Sequence, residues 1–178
     1  MSQFQPKPHK TLIPTDAIEQ RIQAIAAQID AAYNGREPVV LLCVLTGALP
    51  FCEALSDALT VPHKRATVRV SSYGIGSRLS DGDVRVLQPI NVSLHGAHVI
   101  IVEDIIDTGY SMQIVLDLVE DQQPATVSVC ALLSKPSRRV VDVPEDYLGF
   151  SIDDYFVFGY GIDVDQQYRE LNYIGYFD

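Results

Sequence analysis

Three stretches of this chain are apolar almost without interruption, and each has the length of one β-strand: Val39–Leu45 (VVLLCVL), residues 99–102 (VIIV) and residues 126–133 (TVSVCALL). A strand that is apolar at successive positions is buried on both faces, which confines it to the interior of a sheet covered by helices on two sides. The intervening segments supply those helices. Ile18, Ile22, Ile25, Ala26 and Ile29 recur at three- and four-residue spacing after Thr15 and Asp16, which predicts a capped amphipathic helix over residues 15–33, ended by Asn34-Gly35. A second helical stretch follows Thr46-Gly47 and reaches about Leu59, and a third covers residues 109–120. Strand, tight turn and helix in alternation spell a parallel sheet with right-handed crossovers, an α/β fold.

The rest of the chain is less regular. Residues 66–73 alternate as a strand, residues 74–83 (GIGSRLSDGD) have the composition of a mobile loop, and residues 84–92 resume as extended chain broken by Pro89. After Lys135-Pro136 the character changes. The tail from Val140 is rich in tyrosine and aspartate, with short strand-like pieces such as residues 155–158, and reads as a small cap packed on the sheet. With 178 residues, 47% of them hydrophobic, the chain fits a single domain spanning residues 1–178: a core of about 15–136 and a hood of about 1–14 plus 137–178.

The formal charge of −10 has the wrong sign for a protein that grips nucleic acid through its phosphates, and no basic run exceeds Arg138-Arg139. No stretch of about 18 apolar residues is present and the first residues lack a basic-then-apolar pattern, so neither membrane spanning nor secretion is expected; the expectation is a cytoplasmic protein. Cys43, Cys52 and Cys130 fit reduced, packed thiols, and His9, His63, His95 and His98 lack zinc-site spacing.

In open parallel sheets ligands bind beyond the carboxyl ends of the strands, here Leu45-Thr46-Gly47, Glu103-Asp104 and Ser134-Lys135. The segment at residues 99–111, VIIVEDIIDTGYS, concentrates the chemistry. Backbone N–H groups opening the third helix, with the Thr108 and Ser111 hydroxyls, form a concavity at the positive end of a helix dipole, suited to a phosphate. Gly109 lets the backbone approach it closely. Glu103 and Asp104 can accept from vicinal ribose hydroxyls, directly or through a hard cation such as magnesium. Gly74-Ile75-Gly76 is not a dinucleotide fingerprint, because Leu79 stands where a third glycine is needed.

The segment closely resembles the phosphoribosyl pyrophosphate signature of type I phosphoribosyltransferases, and more closely the purine branch that accepts hypoxanthine and guanine. Residues 45–49 (LTGAL) sit where that family has its pyrophosphate-binding turn, Ser71-Ser72-Tyr73-Gly74 where its lid begins, Lys135 at its purine-selecting lysine, and residues 156–175 (FVFGYGIDVDQQYRELNYIG) at its C-terminal purine-binding cap. The resemblance implies the type I fold, a central parallel sheet flanked by helices with a small C-terminal hood. It implies an enzyme that joins phosphoribosyl pyrophosphate to a 6-oxopurine with magnesium, as a homodimer or homotetramer. By the same resemblance Glu103, Asp104, Thr108, Gly109, Tyr110 and Ser111 hold ribose and phosphate, and Thr46, Gly47 and Arg169 hold pyrophosphate. Lys135, Phe156, Val157 and Asp163 form the purine site, with Glu103, Asp104 and Asp163 as metal ligands. Asp107 is the catalytic base, and Ser72 and Tyr73 open a lid over residues 72–83.

One departure stands out: many relatives carry a lysine in the pyrophosphate turn where this chain has Thr46, and the turn often contains a non-proline cis peptide. Two rival readings share the fold: a xanthine-preferring enzyme, and a non-catalytic sensor of phosphoribosyl pyrophosphate.

Overall fold

The computed structural model describes residues 9–72 and 84–177. In chain order the elements are β1 (Lys10–Ile13), α1 (Thr15–Tyr33), β2 (Val39–Leu45), α2 (Leu49–Ala58), β3 (His63–Ser72), β4 (Val84–Gln88), β5 (His98–Ile106), α3 (Tyr110–Glu120), β6 (Thr126–Ser134), a single 3-10 turn (Pro136–Arg138), β7 (Tyr147–Ser151), β8 (Val157–Phe158) and β9 (Ile174–Tyr176). Six strands form the main sheet in the order β4-β3-β2-β5-β6-β7, and β1-β9-β8 form a small antiparallel one. Every pairing in the main sheet is parallel except that of β4 with β3. The expected loop residues 74–83, and Tyr73 of the expected lid, lie outside the described residues.

The continuous apolar runs are explained by two cores, one on each face of the sheet. Val39, Leu41 and Cys43 of β2 face Ile18, Ile22, Ile25 and Ile29 of α1 and Phe51, Cys52 and Leu55 of α2. Val40, Leu42 and Val44 face Met112, Val115, Leu116 and Val119 of α3. Burying each such side chain stabilises the fold by roughly 1.5–3 kcal/mol before chain entropy is charged against it. All three cysteines are free and buried.

Two features differ from the sequence reading. The helix cap expected from Thr15 and Asp16 is not made: the N-cap is Pro14, without a side-chain hydrogen bond, and the Thr15 hydroxyl instead donates to the Asn172 carbonyl at 2.9 Å. The stretch after residue 137 is also not all cap. Tyr147–Ser151 extends the main sheet beside β6, with Ala131 opposite Leu148 and Leu133 opposite Phe150, and a glycine at 149 is required because any Cβ there would overlap the Leu132 carbonyl. Among the described residues no helix is long and apolar enough to cross a membrane.

Candidate active site

Because α2 leaves β2 toward one face and α3 leaves β5 toward the other, the chain opens a crevice between the carboxyl ends of these two neighbouring strands. Cys43 is paired with Val102, so Glu103 and Asp104 come level with the end of β2 and its Thr46–Gly47 turn. The Leu45–Thr46 peptide is cis. A Cβ at Gly47 would overlap the Asp104 carboxylate, so only glycine lets the turn and the acid lie together. The tail closes onto the same spot. Gly161 packs against the Gly47 carbonyl; Arg169 Nη1 donates to Gly161 O at 2.7 Å, and its Nη2 pairs with Asp163 Oδ1 at 2.6 Å. The other Asp163 oxygen accepts the Gln166 N–H at 2.8 Å, so both are engaged.

The two carboxylates at the end of β5 are held by their own backbone. The Asp104 N–H donates to Glu103 Oε1 at 3.2 Å and the Ile105 N–H to Asp104 Oδ1 at 2.7 Å. Glu103 is only 7% exposed. Burial, then the adjacent Asp104 charge, pushes the Glu103 carboxyl well above the usual carboxylate range. Burial likewise raises Asp104, against the pull of its hydrogen bonds and of the Arg169 guanidinium. Glu103, buried, and Asp104, half-buried, have no basic partner in ion-pair range among the described residues, and a cation or a sugar diol would relieve both. Magnesium is held by one or two carboxylates plus substrate oxygens and water. Glu103 and Asp104 fit that demand, whereas Asp163 fits it only by giving up Arg169. No cluster of three or more potential metal ligands occurs among the described residues.

Beyond the acids, the chain turns into α3 through Gly109, whose φ of 95° lies in the left-handed region and whose Cβ would overlap the Val141 carbonyl. A glycine at the N-cap offers no side-chain cap. The first N–H groups of a helix have no intrahelical partner, so those of Tyr110 and Ser111 remain available to an anion. The loop carrying this cradle is clamped from the segment after β6. The Val140 and Val141 N–H groups both donate to Thr108 O at 2.9 Å. Arg139 donates from Nε to Asp107 O at 3.1 Å, and from Nη2 to Ile106 O at 3.3 Å and Ser134 Oγ at 2.9 Å; Glu145 pairs with its guanidinium.

Lys135, at the end of β6, is joined to the same loop, its N–H donating to Ile106 O at 3.0 Å. Its side chain is buried, with Nζ 3.5 Å from Asp154 Oδ1. Phe156 is 57% exposed, and its ring lies 6.4 Å from that of Phe177 in a stacked arrangement. Val157 is buried and begins β8, the edge strand of the small sheet. Asp107 is not a lone carboxylate: Arg138 Nε donates to its Oδ1 at 2.8 Å, and this partner raises the Arg138 guanidinium pKa. Ser72 ends β3, at the edge of the described segment.

The structure thus gathers Thr46, Gly47, Asp104, Asp163 and Arg169 at one mouth of the crevice. Lys135, Asp107 and the α3 cradle share the adjoining loop. Sequence reasoning did not single out Arg138, Arg139, Glu145 or Asp154, which contact these residues directly; the only signal was the basic pair Arg138-Arg139 three residues beyond Lys135.

A family profile described as "Phosphoribosyl transferase domain" matches residues 10–166. The chain belongs to the phosphoribosyltransferase family. Among relatives of this phosphoribosyltransferase, the hypoxanthine phosphoribosyltransferase of Haemophilus influenzae is 40% identical over 166 residues, covering 92% of each chain. A solved hypoxanthine phosphoribosyltransferase of Staphylococcus aureus superposes with a TM-score of 0.89 at 31% identity, covering 95% of this chain and 91% of that one. A hypoxanthine-guanine phosphoribosyltransferase of Bacillus anthracis gives 0.86 at 33% identity, covering 95% and 98%.

Proposed function

We propose that this phosphoribosyltransferase moves the 5-phosphoribosyl group of phosphoribosyl pyrophosphate onto N9 of hypoxanthine, guanine or both. The products are inosine or guanosine monophosphate and pyrophosphate, a purine salvage reaction. The observation that carries the reading is the meeting of two neighbouring strand ends: the paired carboxylates of β5 running into an open helix N-terminus, and a buried lysine just past β6 bonded to the same loop.

In this reading the α3 cradle, from Thr108 to Ser111, holds the 5-phosphate while Glu103 and Asp104 hold the ribose hydroxyls. Arg169, Thr46 and Gly47 take the pyrophosphate, and Arg169 exchanges Asp163 for it. Magnesium, held by Glu103 and Asp104, with Asp163 once it is released, would neutralise the diphosphate and so favour its departure. As C1 and the ring oxygen gain positive charge, Glu103 and Asp104 fix the ribose while N9 forms its bond to C1 and the bond from C1 to the diphosphate oxygen breaks. Thr46 contributes a hydroxyl and backbone groups but no charge, so among the described residues Arg169 supplies the positive charge of this subsite.

Lys135 donates to the oxygen on purine C6. An ammonium has three donors and no acceptor, so a 6-amino base would set donor against donor. Phe156 stacks on the ring, and the Val157 backbone meets its pyrimidine edge. Asp107 takes the N7 proton through Oδ2, because Oδ1 is on Arg138. The lid would keep water from the activated sugar. We further place the enzyme in the cytoplasm, whose reducing chemistry suits its free cysteines, as a homodimer or homotetramer. A panel of hypoxanthine, guanine, xanthine, adenine and uracil, with phosphoribosyl pyrophosphate and magnesium, is the direct test. Nucleotide and pyrophosphate should form in equal amounts with hypoxanthine or guanine, and turnover led by xanthine, adenine or uracil would reject the assignment.

A further inference from the structure

We infer that Asp154 is a positioning residue for base selection, whose two carboxylate oxygens join the lysine that reads the purine to the arginine that grips the proposed base. The inference rests on the reading of Lys135 and Asp107 given above. Asp154 Oδ1 lies 3.5 Å from Lys135 Nζ, and its Oδ2 lies 3.5 Å from Arg138 Nη1. Arg138 Nε in turn donates to Asp107 Oδ1 at 2.8 Å. Cation and anion therefore alternate along Lys135, Asp154, Arg138 and Asp107, drawn from the end of β6, the segment before β8, the 3-10 turn and the loop before α3.

The two links differ in weight. Arg138 and Asp154 have side chains 45% and 53% exposed, so an ion pair between them contributes little by itself. The Lys135 side chain is 8% exposed, and an ammonium so far from water needs a countercharge. Among the described residues Asp154 is the one acidic group within ion-pair range of Nζ. An ammonium carries three hydrogens in fixed relation. The Asp154 carboxylate draws the ammonium toward itself at ion-pair distance, which fixes where Nζ sits and so which way its donors face the purine oxygen. The segment bearing Asp154 is itself tied down, the Ile152 N–H donating to Ser134 O at 2.9 Å, and two residues after Asp154 it delivers Phe156. Lysine direction and base stacking are thereby set by one short piece of chain.

Steady-state kinetics on Asp154→Asn tests this, with adenine as a competitor of hypoxanthine. The KM for hypoxanthine should rise about tenfold and the hypoxanthine-over-adenine preference fall by a similar factor, while kcat and the KM for phosphoribosyl pyrophosphate stay within about threefold. Asp154→Glu, which restores the charge, should recover part of the loss. In the double variant Lys135→Ala/Asp154→Asn, base affinity should match that of Lys135→Ala alone, because Asp154 acts through the lysine. If Lys135→Ala erases the preference and Asp154→Asn leaves hypoxanthine KM and preference unaltered, or if the two losses add, the inference falls while the site reading stands. A Lys135→Ala enzyme with its preference intact would instead overturn that reading, and the inference with it.

Discussion

Glu103 places an acid near the buried end of β5, which costs the fold free energy unless something compensates it. It is buried next to another acid, with backbone N–H groups but no basic side chain at hand among the described residues, so holding the pair ionised costs folding free energy. Glu103→Gln keeps the shape and removes one acid. In the absence of ligand the variant should unfold at a temperature higher by roughly 2–6 °C, corresponding to about 1–2 kcal/mol in a chain of this size, while kcat/KM drops at least about tenfold. A scanning fluorimetry trace with an unchanged or lower midpoint would mean that the acids are already compensated. Asp107 is read differently. One of its oxygens is satisfied by Arg138, and the other is left to the base. Asp107→Asn should reduce kcat by about 10²–10⁴ while the affinity for phosphoribosyl pyrophosphate, measured by calorimetry, changes little. Undiminished turnover with hypoxanthine would take Asp107 out of the proton-transfer step.

Asp30, near the end of α1, shows how a single acid fixes one element against another. Its carboxylate accepts the Thr60 N–H at 3.0 and 3.1 Å, the Val61 N–H at 2.9 Å and the Thr60 hydroxyl at 2.8 Å, bracing the chain that leads into β3. Burial pushes its pKa up, but these hydrogen bonds and the nearby His63 charge pull harder, and the net shift is downward. A depressed folded-state pKa stabilises the fold above the unfolded value and loses that contribution as the pH falls through the folded one. Asp30→Asn should therefore cost about 1 kcal/mol at pH 7, since the site is partly exposed, and progressively less below about pH 4. Parallel denaturation curves for variant and wild type, equally separated at pH 7 and pH 3, would contradict the shift. At this scale the sequence was readable where both faces of a strand are buried: β2 and the start of β5 announce themselves as unbroken apolar runs. It was silent on β7, an edge strand whose first four residues are all half-buried, so that neither run nor alternation marks it. The last residues of β5 were equally hidden, because the acids Glu103 and Asp104 interrupt the apolar pattern of the strand that carries them. The candidate site residues were legible as one motif at the β5–α3 junction. Their partners were not, because Arg138 reaches Asp107 across 31 positions and Asp154 across 16, separations that leave no periodic trace.

Taken whole, an acidic chain of net charge −10 is proposed to bind a ligand bearing several phosphate charges beside the adjacent carboxylates of Glu103 and Asp104. Long-range electrostatics oppose that encounter, and cations of the candidate site among the described residues already face acids: Arg169 pairs with Asp163, Lys135 with Asp154 and Arg138 with Asp107. The helix dipole of α3 and its open N–H groups can hold one phosphate, but they do not neutralise a diphosphate lying across Asp104. Binding should accordingly depend on a divalent cation more steeply than a site with a lysine in the Thr46–Gly47 turn. A ligand that binds only the native state stabilises it by about 2.7 kcal/mol at a hundredfold excess over its Kd, or roughly 5–10 °C in a chain of this size. Phosphoribosyl pyrophosphate with magnesium should produce a shift of that order in the unfolding midpoint, and the same ligand with a chelator almost none. Thr46→Lys should restore part of the shift in the chelated sample, because a fixed charge would then stand where the cation otherwise acts. Raised salt should shrink the metal-free difference between Thr46→Lys and wild type, since screening weakens charge pairs open to solvent. Equal shifts with and without magnesium would show that the chain's own donors suffice, and would remove the metal from the ribose and pyrophosphate site altogether.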